Sequence, residues 1–167
     1  MAQSPFINRL ELTGKFKAVA DFDGDGKSDI LWQNSTTGQV VIWLLNGTSI
    51  KSSVSIVSSL DAAWQIKGTG DFDGDGKADI LWQNSTTGQV VIWLMSGTSI
   101  KSSVSVAASL DSTWQIKGTG DFDGDGMSDI LWQNSSSGQV VIWLMSGTTI
   151  KSSASVASSV PSGWIIE

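Results

Sequence analysis

The sequence predicts an all-β chain, and three observations carry that reading. A unit of 50 residues occurs three times: Asp21, Asp71 and Asp121 are equivalent, as are Trp32, Trp82 and Trp132, and Trp43, Trp93 and Trp143. Within each unit, short β-branched and aromatic runs are bounded by clusters of Gly, Asp, Asn, Ser and Thr, the pattern of strands and turns. No 3.6-residue apolar stripe persists, and the Gly, Ser, Thr and Val content is unfavourable for helix. A period in the forties to fifties is that of four-stranded propeller blades. The expectation is therefore a β-propeller architecture with three four-stranded blades per chain.

The elements follow in order within each copy. In the second, Trp64–Phe72 reads as the first strand, running into a Gly- and Asp-rich loop. Asp79–Asn84 reads as the second, and Ser85-Thr86-Thr87-Gly88 as the turn after it, with Gly where a hairpin needs positive φ. Gln89–Met95 is the third strand, apolar on both faces as a strand between neighbouring blades should be. Ile100–Ala107 is the fourth, with Val104 and Val106 alternating against Ser103 and Ser105, the mark of a half-buried outer strand. The chain 1–167 reads as a single repeat domain: blade 1 over about 14–60, blade 2 over about 61–110, blade 3 over about 111–160. Residues 161–167 open a further blade and could act as a closing strand, because Trp164 stands where Trp64 and Trp114 stand; the first copy has Gly14 there. Phe6–Leu12 has no place in the first blade and by register resembles the end of a fourth strand.

Composition excludes several classes of function. The chain has no Cys and no His, hence no disulfide, no thiolate nucleophile, no Ser-His-Asp triad and no N- or S-ligated metal. Ten basic residues against 16 acidic ones, a net charge of -6 and a pI near 4.4 argue against nucleic-acid binding. The longest apolar run, Val40 to Leu45, is too short for membrane insertion. The opening MAQSPF shows no signal peptide.

The strongest chemical signal is Asp21-Phe22-Asp23-Gly24-Asp25-Gly26-Lys27-Ser28-Asp29, which recurs at 71–79 and 121–129. Twelve of the fourteen Asp residues lie in these loops. Four carboxylates within nine residues repel one another, and a cation relieves that. The side chains at positions one, three, five and nine form an all-oxygen cage with the carbonyl of position seven: Asp21, Asp23, Asp25, Lys27 and Asp29; Asp71, Asp73, Asp75, Lys77 and Asp79; Asp121, Asp123, Asp125, Met127 and Asp129. Such a cage suits Ca2+, one per repeat and three per chain, better than Mg2+ with its stricter octahedron. Three such ions would cancel the net charge of -6. An EF-hand would need flanking helices and an acidic residue at position twelve, where Trp32, Trp82 and Trp132 stand instead. Solvated Asp-Gly turns are the blander reading.

The DxDxDGxxD loop between the first two strands of such a unit resembles the FG-GAP/VCBS-type repeat of integrin-α-like propellers. The resemblance runs from about Lys15 to Glu167 and implies calcium on Asp21, Asp23, Asp25, Asp29 and their equivalents. The Phe-Gly and Gly-Ala-Pro signatures are absent, which places the chain nearer the bacterial type of repeat and fungal lectins of similar architecture. It also implies an extracellular or cell-surface setting.

Three blades leave two apolar faces uncovered, and six is the only multiple of three among the usual four to eight blades. A homodimer closing a six-bladed ring is therefore expected. Nine Trp suggest either packing between blades or sugar stacking beside amides. Trp64, Gln65, Trp114, Gln115 and Trp164 are the candidate ligand-binding residues. Two functions follow: a multivalent, lectin-like carbohydrate-binding module, or a calcium-stabilised structural or adhesion module with no small ligand. An enzyme is not expected, since outside the loops the acids are only Glu11, Asp61, Asp111 and Glu167, and a glycosidase needs two convergent carboxylates.

Overall fold

A computed structural model of the chain describes residues 14–161, 163, 164 and 166. The described residues hold twelve strands: β1 (Gly14–Ala20), β2 (Asp29–Asn34), β3 (Val40–Asn46), β4 (Ser49–Val57), β5 (Trp64–Gly70), β6 (Asp79–Asn84), β7 (Val90–Ser96), β8 (Ser99–Ala107), β9 (Trp114–Gly120), β10 (Asp129–Asn134), β11 (Val140–Ser146) and β12 (Thr149–Ala157). They form three four-stranded antiparallel sheets, β1–β4, β5–β8 and β9–β12. Each sheet is one propeller-like blade. No helix among the described residues is long and apolar enough to cross a membrane. The first strand of the second copy ends at Gly70, two residues short of the Phe72 expected, because the Asp71 carboxylate folds the chain into the loop. Phe6–Leu12 lies outside the described residues.

The apolar core lies between sheets. One cluster joins Phe22, Leu31, Val40 and Ile42 of the first copy to Ile66, Ile80, Trp82, Val91 and Met95 of the second. The other joins Phe72, Leu81, Val90 and Ile92 to Ile116, Ile130, Trp132 and Met145. This explains the continuous apolar run of the third strand: Val90, Val91 and Ile92 are all buried, because they face a neighbour on each side. The outer strand behaves as expected in β8, where Val104 and Val106 are half-buried and Ser103 and Ser105 exposed. In β12 the alternation fails and Val156 is 62% exposed.

Consecutive sheets are sewn together by side chains that imitate a β-ladder. Gln33 Nε2 donates to the Trp64 carbonyl at 2.8 Å, and Gln33 Oε1 accepts the Ile66 amide at 3.4 Å. Gln83 donates to the Trp114 carbonyl at 3.0 Å. Gln133 does the same to Trp164 at 3.4 Å and accepts from Ile166 at 3.3 Å, so Trp164 and Ile166 sit where a fourth blade would begin. The inner strands β1, β5 and β9 lie side by side. Thr119 Oγ1 donates to the Thr69 carbonyl at 2.6 Å. A Cβ on Gly68 would stand 2.9 Å from the Thr119 methyl, so the glycine permits the close approach.

Candidate functional site

Each acidic loop begins as its first Asp caps its own backbone. Asp21 Oδ1 accepts the Gly24 amide and Oδ2 the Gly26 amide, both at 2.7 Å. Asp71 and Asp121 repeat this. Gly24 and Gly26 have φ of 77° and 79°, a turn that other residues adopt only with strain. The ninth position is buried and anchors the loop to the sheet. Asp29 accepts the Phe22 amide at 2.9 Å and the Leu45 amide at 2.8 Å, tying loop, second strand and third strand to one carboxylate. Asp79 and Asp129 do the same.

Three carboxylates converge in each copy: Asp21, Asp23 and Asp29; Asp71, Asp73 and Asp79; Asp121, Asp123 and Asp129, with one oxygen from each residue lying within 4.8 Å of the others. The three groups, one per repeat, are able to hold a metal ion. One oxygen tests the fit. Asp73 Oδ1 is buried and has no hydrogen-bond partner among the described residues, although its Oδ2 meets Lys101, and such an orphaned oxygen calls for a cation or a water. Asp79 is pushed up to about 6, first by burial and then by repulsion from Asp73 and Asp71, against the opposing amides of Met95 and Phe72. In the second loop like charges crowd around Asp79, and the all-oxygen donors suit a hard cation.

The fifth position falls outside these groups. Asp25 Oδ1 accepts the Lys27 amide at 3.0 Å, and its Oδ2 pairs with Lys27 Nζ at 3.1 Å; these contacts, the ammonium first, hold its carboxyl below the usual range. Asp75 and Asp125 accept the amides of Lys77 and Met127 in the same way. The third position carries a partner that spacing did not reveal. Lys51, Lys101 and Lys151 from the outer strands reach Asp23, Asp73 and Asp123 at 2.6, 2.6 and 2.8 Å. The carboxylates raise all three lysines above their ordinary range.

The candidate sugar residues are divided between places. Trp114 lines a cavity of about 190 Å³ with Leu110, Trp132, Val141, Trp143 and Ser153. Gln115 and Trp164 line a separate cavity of about 540 Å³ at the third sheet. Gln65 donates to the Ala62 carbonyl at 2.7 Å and turns its oxygen toward Lys17 at 3.5 Å, and Trp64 packs against the first core cluster. Trp132 and Trp143 are not among the candidate ligand-binding residues named from the sequence; their rings lie 4.7 Å apart at 50°, and both wall the smaller cavity.

Fold and loops together define a repeat protein of propeller-like blades with one metal-competent acidic loop in each. Residues 21–82 match the family model for the FG-GAP-like repeat. That segment runs from the first acidic loop through the second, consistent with an FG-GAP/VCBS-type repeat protein. No curated protein matches the chain.

Proposed function

We propose that the chain is a non-catalytic, calcium-stapled propeller module that binds carbohydrate at several equivalent positions. One observation carries the sugar reading: a cavity on the third sheet, beside the linker that leads into it, is walled by Trp114, Trp132 and Trp143, and the buried indole N–H of Trp132 has no acceptor among the described residues. Indole faces suit the apolar face of a sugar ring, and an unpaired indole N–H suits one of its hydroxyls. Trp82 Nε1 is unpaired in the same way between the first and second sheets. Weak sites repeated around a ring gain avidity. Calcium is the ion favoured by an all-oxygen donor set, and the extracellular setting typical of such repeats supplies it at high concentration.

A glycan array in calcium tests this. Hits that are lost in Trp132→Phe, which keeps an aromatic side chain but loses the indole N–H and part of the stacking face, support the reading. An array without hits favours the second reading, a structural or adhesion module, which the tilted Trp82–Trp93 and Trp132–Trp143 pairs would serve as packing alone.

Two copies close a six-bladed ring on this reading. Phe22 and Phe72 are fully buried between sheets, whereas their equivalent Phe122 is 48% exposed on the third. On the first sheet Phe16 is 55% exposed where its equivalent Ile66 is 6% exposed. These are the two halves of one blade interface, each without its complement, and a head-to-tail second copy supplies both. Light scattering should give twice the chain mass, reduced toward one chain by Phe122→Ser. A monomer at all concentrations contradicts closure.

A further inference from the structure

The nine lysines fall into two sets. Lys27, Lys51, Lys77, Lys101 and Lys151 pair with carboxylates of the acidic loops. Lys15, Lys17, Lys67 and Lys117 lie on the inner strands β1, β5 and β9. Among the described residues none of these four is paired with a carboxylate.

Three of the four occupy one structural position. Lys17, Lys67 and Lys117 are each the extra residue of a β-bulge in the pairing of the inner strand with its neighbour. A bulge re-aims a side chain. The outer strands show the same device with its purpose fulfilled: Lys51, Lys101 and Lys151 are skipped in the pairing of β4, β8 and β12 and reach the loop carboxylates. Every sheet thus delivers two lysines by bulges. The outer one meets an anion, and among the described residues the inner one does not.

What the inner lysines meet is amide oxygen and one another. Lys17 Nζ lies 3.5 Å from Gln65 Oε1 of the next sheet. Lys17 and Lys67 are half-buried. Burial pulls both below the ordinary lysine range, and then neighbouring lysines do so: Lys67 and Lys15 on Lys17, and Lys117 on Lys67. Partly buried cations therefore repel one another in a chain whose net charge is -6. At the third sheet, Lys117 is the charged residue among the described residues that wall the cavity of about 540 Å³, beside Gln115, Gln133, Asn134, Ser136 and Trp164. Its volume is in the range that takes small ligands.

We propose that the bulge lysines bind an oxyanion of two negative charges, a sulfate or phosphate group, along the inner strands. The site requires neither the sugar reading nor an ion in the acidic loops. Charge-assisted bonds from several ammonium groups supply the affinity, and the mutual repulsion of the lysines is relieved when the anion enters.

Calorimetric titration of the calcium-loaded protein with sodium sulfate, a sulfated disaccharide and its unsulfated parent tests the proposal. Sulfate is expected to bind the native chain, at least about tenfold more tightly than the Lys17→Gln, Lys67→Gln, Lys117→Gln triple variant. Lys67→Gln alone covers the case in which the triple variant fails to fold. It should weaken sulfate in the same direction and, in chloride, melt above the native chain because repulsion is removed. Tighter binding of the sulfated disaccharide than of free sulfate assigns the anion to a sugar; equal binding assigns it to a free oxyanion, and both support the site. Absence of heat from either anion, or equal affinity in native and variant chains, overturns it.

Discussion

The main-chain carbonyl of Asp21 accepts the amide of Ala78 at 2.8 Å, so the residue that opens one acidic loop is bonded to the penultimate residue of the next. Asp71 and Ser128 repeat the link at 2.7 Å, and the Lys77 side chain lies over Gly24 of the preceding loop. The three loops are therefore connected in series. An ion that orders one loop should order part of its neighbour. Replacing Asp71 and Asp73 with Asn should weaken calcium at the first and third loops by at least about fivefold, the low end of ordinary coupling. Calorimetric titration reads this directly, and unchanged affinity at the two remaining sites would show that the loops act independently.

Removal of the ion should lower the melting temperature. At a concentration about a hundredfold above Kd, each site adds about 2.7 kcal/mol, or roughly 5–10 °C for a chain of this size. Asp73→Asn gives the more discriminating measurement. In calcium it removes one site of three and lowers the melting point. In metal-stripped protein it removes a charge that repels Asp79 and should raise it. Equal losses in both conditions would mean that Asp73 serves only as a partner for Lys101.

The pH dependence should change sign with the ion. Asp79 is pushed up to about 6 in the folded chain, against about 3.9 in an unfolded one. The folded state holds the extra proton between those values. That stabilisation is complete below about pH 4 and lost as pH rises through about 6. Metal-stripped protein should therefore melt higher at pH 5 than at pH 7. Calcium requires the ionised carboxylate, so the loaded protein should melt higher at pH 7. Thermal scans of stripped protein that rise between these two pH values would contradict the role assigned to Asp79.

The second strand, Asp79–Asn84, is legible in the sequence because it begins at the last loop carboxylate and ends at an Asn-led turn. Its structural reason is equally local: Asn84 Oδ1 accepts the amides of Thr86 and Thr87. The loop motif locates the metal group for the same reason. It does not reveal which carboxylates converge, since Asp25, Asp75 and Asp125 instead accept the amide two residues on, and Asp23 is met by Lys51 from 28 residues away. The bulges at Lys17, Lys67 and Lys117 are relations between two strands, and nothing within Ile66-Lys67-Gly68 marks the residue that pairing will skip. Gln33, Gln83 and Gln133 stand at one position in every copy, and that recurrence was the available signal. Their use as clamps needed the next sheet in place.

Two glycines with nearly the same backbone angle should respond very differently to alanine. Gly88 has φ of 71° and Gly97 has φ of 63°, so both lie where an L side chain adds about 1–2 kcal/mol of strain. At Gly97 nothing lies within 4 Å of the added Cβ, and Gly97→Ala should cost only that amount. At Gly88 the Cβ would overlap the main-chain carbonyl oxygen of Leu110 and stand 2.7 Å from its nitrogen. Those atoms belong to the linker between the second and third sheets and cannot rotate away as a side chain would. Gly88→Ala must therefore displace the linker that positions Trp114 and the cavity it lines. The expected loss is about 3 kcal/mol or more, in the range reserved for backbone strain and overpacking. Urea denaturation of the two variants in saturating calcium compares them at constant ion binding. Equal midpoints would show that the linker yields, and that the seam between sheets is held by the Gln83–Trp114 clamp and the apolar cluster without help from this turn.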